Sequence, residues 1–161
     1  MTQGINVRAA QPGDITVIAE LIHELAVYEE LGNSVAFKKD DIGQALFSEF
    51  PAAEVLIGEV DGQAEGFALY FHNYSTFLGR KGLYLEDLFV RPHARGKGLG
   101  KLLLKELARI AVQRNCARME WFVLDWNEPS IQFYKSLGAN PMDGWKIFRM
   151  TDAKIRELAH G

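Results

Sequence analysis

The segment from Gly82 to Ala111, GLYLEDLFVRPHARGKGLGKLLLKELARIA, constrains the fold more than any other part of the chain. It begins as an apolar strand, turns through a basic glycine-rich stretch and continues as an amphipathic helix. Glycines at alternate positions, Gly96, Gly98 and Gly100, leave backbone N–H groups open to close approach. A turn of this kind feeding a helix is a ready anion site, because the first helical N–H groups have no partner within the helix. The charges agree. A helix N-terminus favours Asp or Glu, yet Arg95, Lys97, Lys101 and Lys105 come first and no acid appears until Glu106. An anion held by the turn removes that conflict; the alternative is that the lysines are ordinary helix formers on a solvated face.

Two carboxylates, Glu86 and Asp87, interrupt the strand. Side chains alternate along a strand, so the two face opposite sides unless a bulge intervenes. Both faces of a helix-covered sheet are apolar, so an acid inside LYLEDLFV needs a reason. Proton transfer is one; pairing with a cation such as Arg91 or Arg8 is the other.

A chain of 161 residues is long enough to bury a real core, and one domain over 1–161 is expected. Hydrophobic residues at 48% and charged residues at 24% are globular values. The net charge of −3 argues against a dedicated nucleic-acid binder, which needs a basic excess. The one cysteine, Cys116, has no internal disulfide partner, which suits a reducing, cytoplasmic compartment. No signal-peptide core and no run of membrane-spanning length is present, so no membrane association is expected. The four histidines are dispersed, with no HExxH or C-x-x-C spacing, so no metal site is expected.

In chain order, Ile5–Ala9 alternates as a half-buried strand, and Asp14 follows as a candidate cap for an amphipathic helix over Ile15–Glu30. A second helix spans Lys38–Phe50. Two strands joined at Asp61-Gly62 form a hairpin signal, and the Gly82–Val90 strand completes a meander. After the Leu99–Arg114 helix come a strand over Ala117–Leu124 and a helix capped by Asn127 with Pro129 in its first turn. That helix closes at Leu137-Gly138. A last strand over Trp145–Met150 and a short helix over Asp152–His160 end the chain. The pattern is α/β: a mixed, mostly antiparallel twisted sheet with helices on both faces.

The glycine turn fits neither the spacing of a nucleotide-triphosphatase loop nor that of a dinucleotide fold. Arg95-x-x-Gly98-x-Gly100, after a strand and opening a helix, instead resembles the acetyl-CoA loop of the GNAT superfamily of N-acetyltransferases. YLEDLFV, RGKGLG, DWNEPSIQFYKSLGA, the later Gly144-Trp145 and the early ELAVYEELG together resemble its spermidine/spermine N-acetyltransferase family. That resemblance implies the GNAT fold, acetyl-CoA as co-substrate, a small-molecule amine as acceptor and a homodimer. It implies Glu86 as a water-mediated general base and Tyr134 as general acid. Leu88, Phe89 and Val90 would hold the acetyl-pantetheine arm. Arg95, Gly96, Lys97, Gly98, Leu99, Gly100 and Lys101 would hold the pyrophosphate, with further cofactor contacts from Asn127, Glu128, Pro129, Ser130 and Tyr134. Tyr28, Glu29, Glu86, Asp87, Glu120, Trp121, Phe122 and Asp143 match positions lining the amine.

The sequence departs from polyamine-acetylating members at Ser75-Thr76, where they carry an acid followed by proline. Together with Leu124-Asp125 this resembles the thialysine N-acetyltransferase branch. Loss of an acid weakens attraction for a polyamine and relieves repulsion of a substrate carboxylate. A protein or peptide N-acetyltransferase, and a non-catalytic acetyl-CoA-binding regulatory domain, stay open as alternatives.

Overall fold

A computed structural model describes residues 4–161. The chain divides into two compact units, residues 1–122 and 123–161. The first holds one sheet in the order β1-β2-β3-β4-β5, formed by Ile5–Ala9, Glu54–Val60, Gln63–Ser75, Arg80–Val90 and Met119–Trp121. Every pairing is antiparallel except β4 with β5. Helices α1 (Ile15–Tyr28), α2 (Lys39–Phe47) and α3 (Leu99–Gln113) belong to the same unit.

Strand alternation decides what each face meets. Val55, Ile57, Phe67 and Phe89 cluster with Ile18, Leu21 and Leu25 of α1 and with Ile42 and Leu46 of α2. The next residues along β2 and β3, Leu56 and Ala68, turn to the other face with Gly58, where α3 lies. There Leu103 and Leu107 are fully buried. The expected arrangement of helices on both faces is therefore present. Gly58 sets how closely α3 approaches, because an added Cβ would lie 3.0 Å from Cδ1 of Leu99, the first residue of that helix.

The expected turns form as their chemistry requires. Asp61 (φ 50°) and Gly62 (φ 80°) both take left-handed values, the geometry of a two-residue hairpin loop. Asp14 stands at the N-cap position of α1, but its carboxylate is used differently from a cap. It accepts hydrogen bonds from Arg8 Nη1 (2.8 Å) and from the Gln11 N–H (2.7 Å). Helix α1 stops at Tyr28, two residues short of expectation. Glu30 takes φ 61°, and the Leu31 N–H returns to the Ala26 carbonyl at 2.7 Å, the closing bond of a left-handed C-terminal motif. Helix α2 likewise ends at Phe47 rather than Phe50.

In the second unit Asn127 caps α4 (Glu128–Ser136), its side chain accepting from the Ser130 N–H, and Gly138 (φ 93°) follows its end. Helix α5 covers Asp152–His160 as expected. Two strand expectations fail. The Ala117–Leu124 strand shrinks to Met119–Trp121, since only these three residues find ladder partners on β4. Trp145–Met150 forms no strand. Its alternating apolar residues have no ladder partner among the described residues, and Trp145 and Phe148 are 77% and 94% exposed. No helix among the described residues is long and apolar enough to cross a membrane.

The contact between Gly58 and Leu99 gives a direct test. Gly58→Ala forces a locked, fully buried leucine to move, and overpacking of this kind costs roughly 1–3 kcal/mol. Urea unfolding is expected to show a lower midpoint with an unchanged slope.

Candidate functional site

Two features of opposite charge lie within the first unit. One is the turn entering α3. A short 3-10 turn over Pro92–Ala94 leads to Arg95, then Gly96 (φ 78°) and Gly98 (φ 87°), and α3 starts at Leu99. An added Cβ at Gly96 would meet nothing within 4 Å, so conformation rather than space requires glycine there. Gly98 supplies no capping side chain, and the first turn of α3 carries no acid. Lys97, Lys101 and Lys105 are exposed around it. Uncapped N–H groups, a positive helix end and three lysines suit a pyrophosphate.

The second feature is a group of acids produced by a bulge. Leu69 pairs with Asp87 and Tyr70 with Leu85, so Glu86 has no partner in the ladder. The extra residue shifts the alternation of β4: Leu83 and Leu85 are buried on the α3 side, while Asp87 and Phe89 turn to the α1 side. Both acids thus leave the α3 core, which corrects the expectation of opposite faces by the route the sequence left open. Asp87 is half-buried, and its carboxyl is pushed up from the ordinary 3.8 to about 6, first by burial and then by the charges of Glu86 and Glu29. Burial also raises the Glu29 carboxyl, at the end of α1. Asp87 therefore senses the charges of both other acids.

Pairing does not account for them. Arg8 is committed to Asp14 and Glu59, and Arg91 to Glu24, with Glu20 and Glu65 nearby. Among the described residues, Glu86 and Asp87 form no ion pair.

Aromatic residues flank this acidic region. Tyr84 has its ring 4.9 Å from Phe71 and meets the exposed Phe122 edge-on at 5.5 Å. Burial, Glu86 and Glu120 push the Tyr84 hydroxyl up to about 12. Tyr84 and Phe71 were absent from the sequence expectations. Their signal was position, since Tyr84 lies two residues before Glu86, and Phe71 is its ladder partner. Glu120 pairs with Arg118 at 2.8 Å and is in register with Tyr84. Trp121 is in register with Leu85, so alternation turns it to the opposite face. Ser75 is buried, and its Oγ accepts the Leu78 N–H at 3.2 Å, so it serves the hairpin turn.

Beyond the Leu85–Trp121 pair, β5 no longer follows β4. Among the described residues, Asp87, Leu88, Phe89 and Val90 therefore have a strand neighbour only on the β3 side. In the second unit, Asn127, Glu128, Pro129 and Ser130 form the capped start of α4. Tyr134 sits half-buried in that helix beside Phe133, and Asp143 is exposed in the segment that follows.

Comparison with known proteins decides the family. The profile described as "Acetyltransferase (GNAT) family" matches residues 20–139. The chain belongs to the GNAT acetyltransferase family. It is 39% identical to the thialysine N-epsilon-acetyltransferase of Bos taurus, covering 96% of this chain and 97% of that protein. It is 31% identical to the L-ornithine N5-acetyltransferase NATA1 of Arabidopsis thaliana, over 94% and 86%. Among solved structures, an integron cassette protein from V. cholerae matches with TM-score 0.80 and 28% identity, covering 100% and 99% of the two chains. This GNAT chain is therefore an acetyltransferase with a mixed α/β fold.

The raised Asp87 carboxyl makes a stability prediction. The folded chain holds the Asp87 proton more tightly than the unfolded chain does. Stability therefore falls as pH rises from the ordinary value towards about 6, and above that the full penalty is present. Asp87→Asn is expected to stabilise the protein at pH 7.5 by roughly 1–3 kcal/mol. In urea titrations this gain should vanish below pH 4.

Proposed function

We propose that the protein transfers an acetyl group from acetyl-CoA directly to a primary amine of a small molecule, a lysine-like amino acid or a diamine. The observation that carries this reading is the group of Glu29, Glu86 and Asp87, which form no ion pair among the described residues, in the same unit as a basic anion turn whose helix carries no acid in its first turn. Opposite charges of this kind suit two substrates, one anionic and one cationic.

In this reading 1–161 acts as one catalytic domain. The turn from Arg95 to Lys101 holds the pyrophosphate through its backbone N–H groups and its lysines, the Arg95 guanidinium lying instead against Tyr28, and the β4 edge at Leu88–Val90 takes the acetyl-pantetheine arm as an added strand would be taken. Asn127 to Ser130 and Tyr134 add cofactor contacts. The ammonium form of a primary amine predominates at neutral pH and has no lone pair to attack the thioester. Glu86, through a water, takes that proton. The amine nitrogen then bonds to the acetyl carbon, the carbon–sulfur bond breaks, Tyr134 gives its proton to the departing thiolate, and the proton that the nitrogen sheds on becoming an amide returns through water to the tyrosinate. Tyr28, Glu29, Asp87, Glu120 and Phe122 line the amine, with Asp143 as a further contact. Retention of unpaired acids supports catalysis over a merely regulatory module, since an unused buried carboxylate only costs stability.

The lean towards lysine-like amines rests on the names of the relatives covered nearly end to end, thialysine and ornithine acetyltransferases. A spermidine/spermine acetyltransferase-like relative is 34% identical, but the match covers 23% of its length. The exposed apolar residues Trp145, Ile147, Phe148 and Met150 support a homodimer, since a second copy would bury them. A cytoplasmic location fits the single free cysteine.

A CoA-thiol release assay over a panel of amines tests the substrate class. Thialysine, lysine, ornithine or a short diamine is expected to give the highest kcat/KM, and a preference for spermine overturns the lean. In the same assay Glu86→Gln and Tyr134→Phe are each expected to lower kcat by about 10²-fold or more. Unchanged turnover in Tyr134→Phe removes the assigned acid.

A further inference from the structure

Arg95 opens the glycine turn, where a basic side chain is expected to reach for phosphate. The structure places it otherwise. Its Nε donates to the Val90 carbonyl at 2.8 Å, and its guanidinium lies 4.8 Å from the centre of the Tyr28 ring and 5.6 Å from that of Phe89. Tyr28 and Phe89 themselves are 6.4 Å apart, ring to ring. One side chain thus joins three elements: the turn, the end of β4 and the last residue of α1. Glu29 follows Tyr28 directly and belongs to the acid group around Asp87. The chain leaves α1 through Glu30 at φ 61°, a conformation a non-glycine residue adopts only when its surroundings hold it. The helix's own closing bond, Leu31 N–H to the Ala26 carbonyl, holds that conformation, and the Arg95–Tyr28 stack adds a contact to the same end from outside the helix.

We infer that Arg95 and Tyr28 are positioning residues that couple occupancy of the anion turn to binding of the amine. A ligand that orders the turn fixes Arg95, the stack fixes Tyr28, and Glu29 is then held where it meets a cation. The second ligand no longer has to order those groups, so its affinity rises. Linkage makes the effect reciprocal: the amine must tighten the anion by the same factor. An exposed cation–π contact sets the ceiling on that factor at about two- to fivefold. The inference rests on the proposed coenzyme and amine sites, and it adds a connection between them that neither site needs by itself.

The test titrates CoA into the full chain by calorimetry, with and without saturating thialysine. The wild type is expected to bind CoA about two- to fivefold more tightly when the amine is present. Tyr28→Leu removes the ring without touching the turn; with thialysine raised until it saturates the variant itself, CoA affinity without amine should stay within about twofold while the coupling ratio falls to one. Tyr28→Phe keeps the ring and should keep the ratio. Arg95 is exposed, so Arg95→Gln leaves the core intact; it should also abolish the coupling, and the Arg95→Gln/Tyr28→Leu double variant should lose nothing further. A wild-type ratio of one, or an unchanged ratio in Tyr28→Leu or Arg95→Gln, overturns the inference while leaving acetyl transfer intact. Absence of any CoA binding by the wild type overturns the proposed function and this inference together.

Discussion

A single unpaired residue in β4 sets the chemistry of the first unit. In an unbroken ladder Asp87 would share a face with Leu85 and be driven under α3, among Leu103 and Leu107. Glu86 has no partner between the Leu69–Asp87 and Tyr70–Leu85 pairs, so the strand changes phase there. Leu83 and Leu85 stay in the α3 core, Phe89 joins α1 and α2, and Asp87 is brought towards the end of α1. A β-bulge costs local ladder bonding and gains a re-aimed side chain. Here it also coincides with the end of the β4–β5 pairing, so the strand changes its phase and loses a neighbour at the same place.

The electrostatics follow from that geometry. Burial of Asp87 and the nearby charges of Glu86 and Glu29 raise the free energy of the folded state. The turn before α3 holds a similar debt of opposite sign, with lysines where a helix dipole favours acids. Elsewhere in the unit several arginines are matched to acids. Arg8 bridges Asp14 and Glu59, Arg91 gathers the acids of α1 and β3, and Arg114 grips Glu54 at 2.6 and 2.9 Å. A half-buried acid crowded by two others, and lysines gathered at a positive helix end, mark these two places as sites where something else binds.

Much of this was legible because it is local. The Asp61-Gly62 hairpin, the Asn127 cap and the left-handed Gly138 follow from backbone preferences that neighbouring residues cannot override cheaply. The strand–turn–helix of β4 and α3 was readable because two hydrophobic periods meet at a run of glycines. The bulge was not, since nothing in LYLEDLFV says which residue will miss its partner; register is settled by the packing of both faces together. Nor did the sequence show that the Ser75 hydroxyl closes the β3–β4 turn or that Tyr84 stacks on Phe71, since both depend on the pairing of β3 with β4.

Trp145–Met150 shows the limit most clearly. Alternation of apolar residues states that a segment is able to pair, and pairing requires an edge. A strand left alone exposes every N–H and C=O to water and buries one side of nothing, so its propensity has no ladder to express itself in. Trp145 and Phe148 are large enough that each would contribute about 2 kcal/mol or more if enclosed. The sequence therefore specifies a strand conditionally, and the condition is a surface to lie against. An exposed segment of alternating apolar residues, with no ladder partner among the described residues, is what that condition looks like when it is not met.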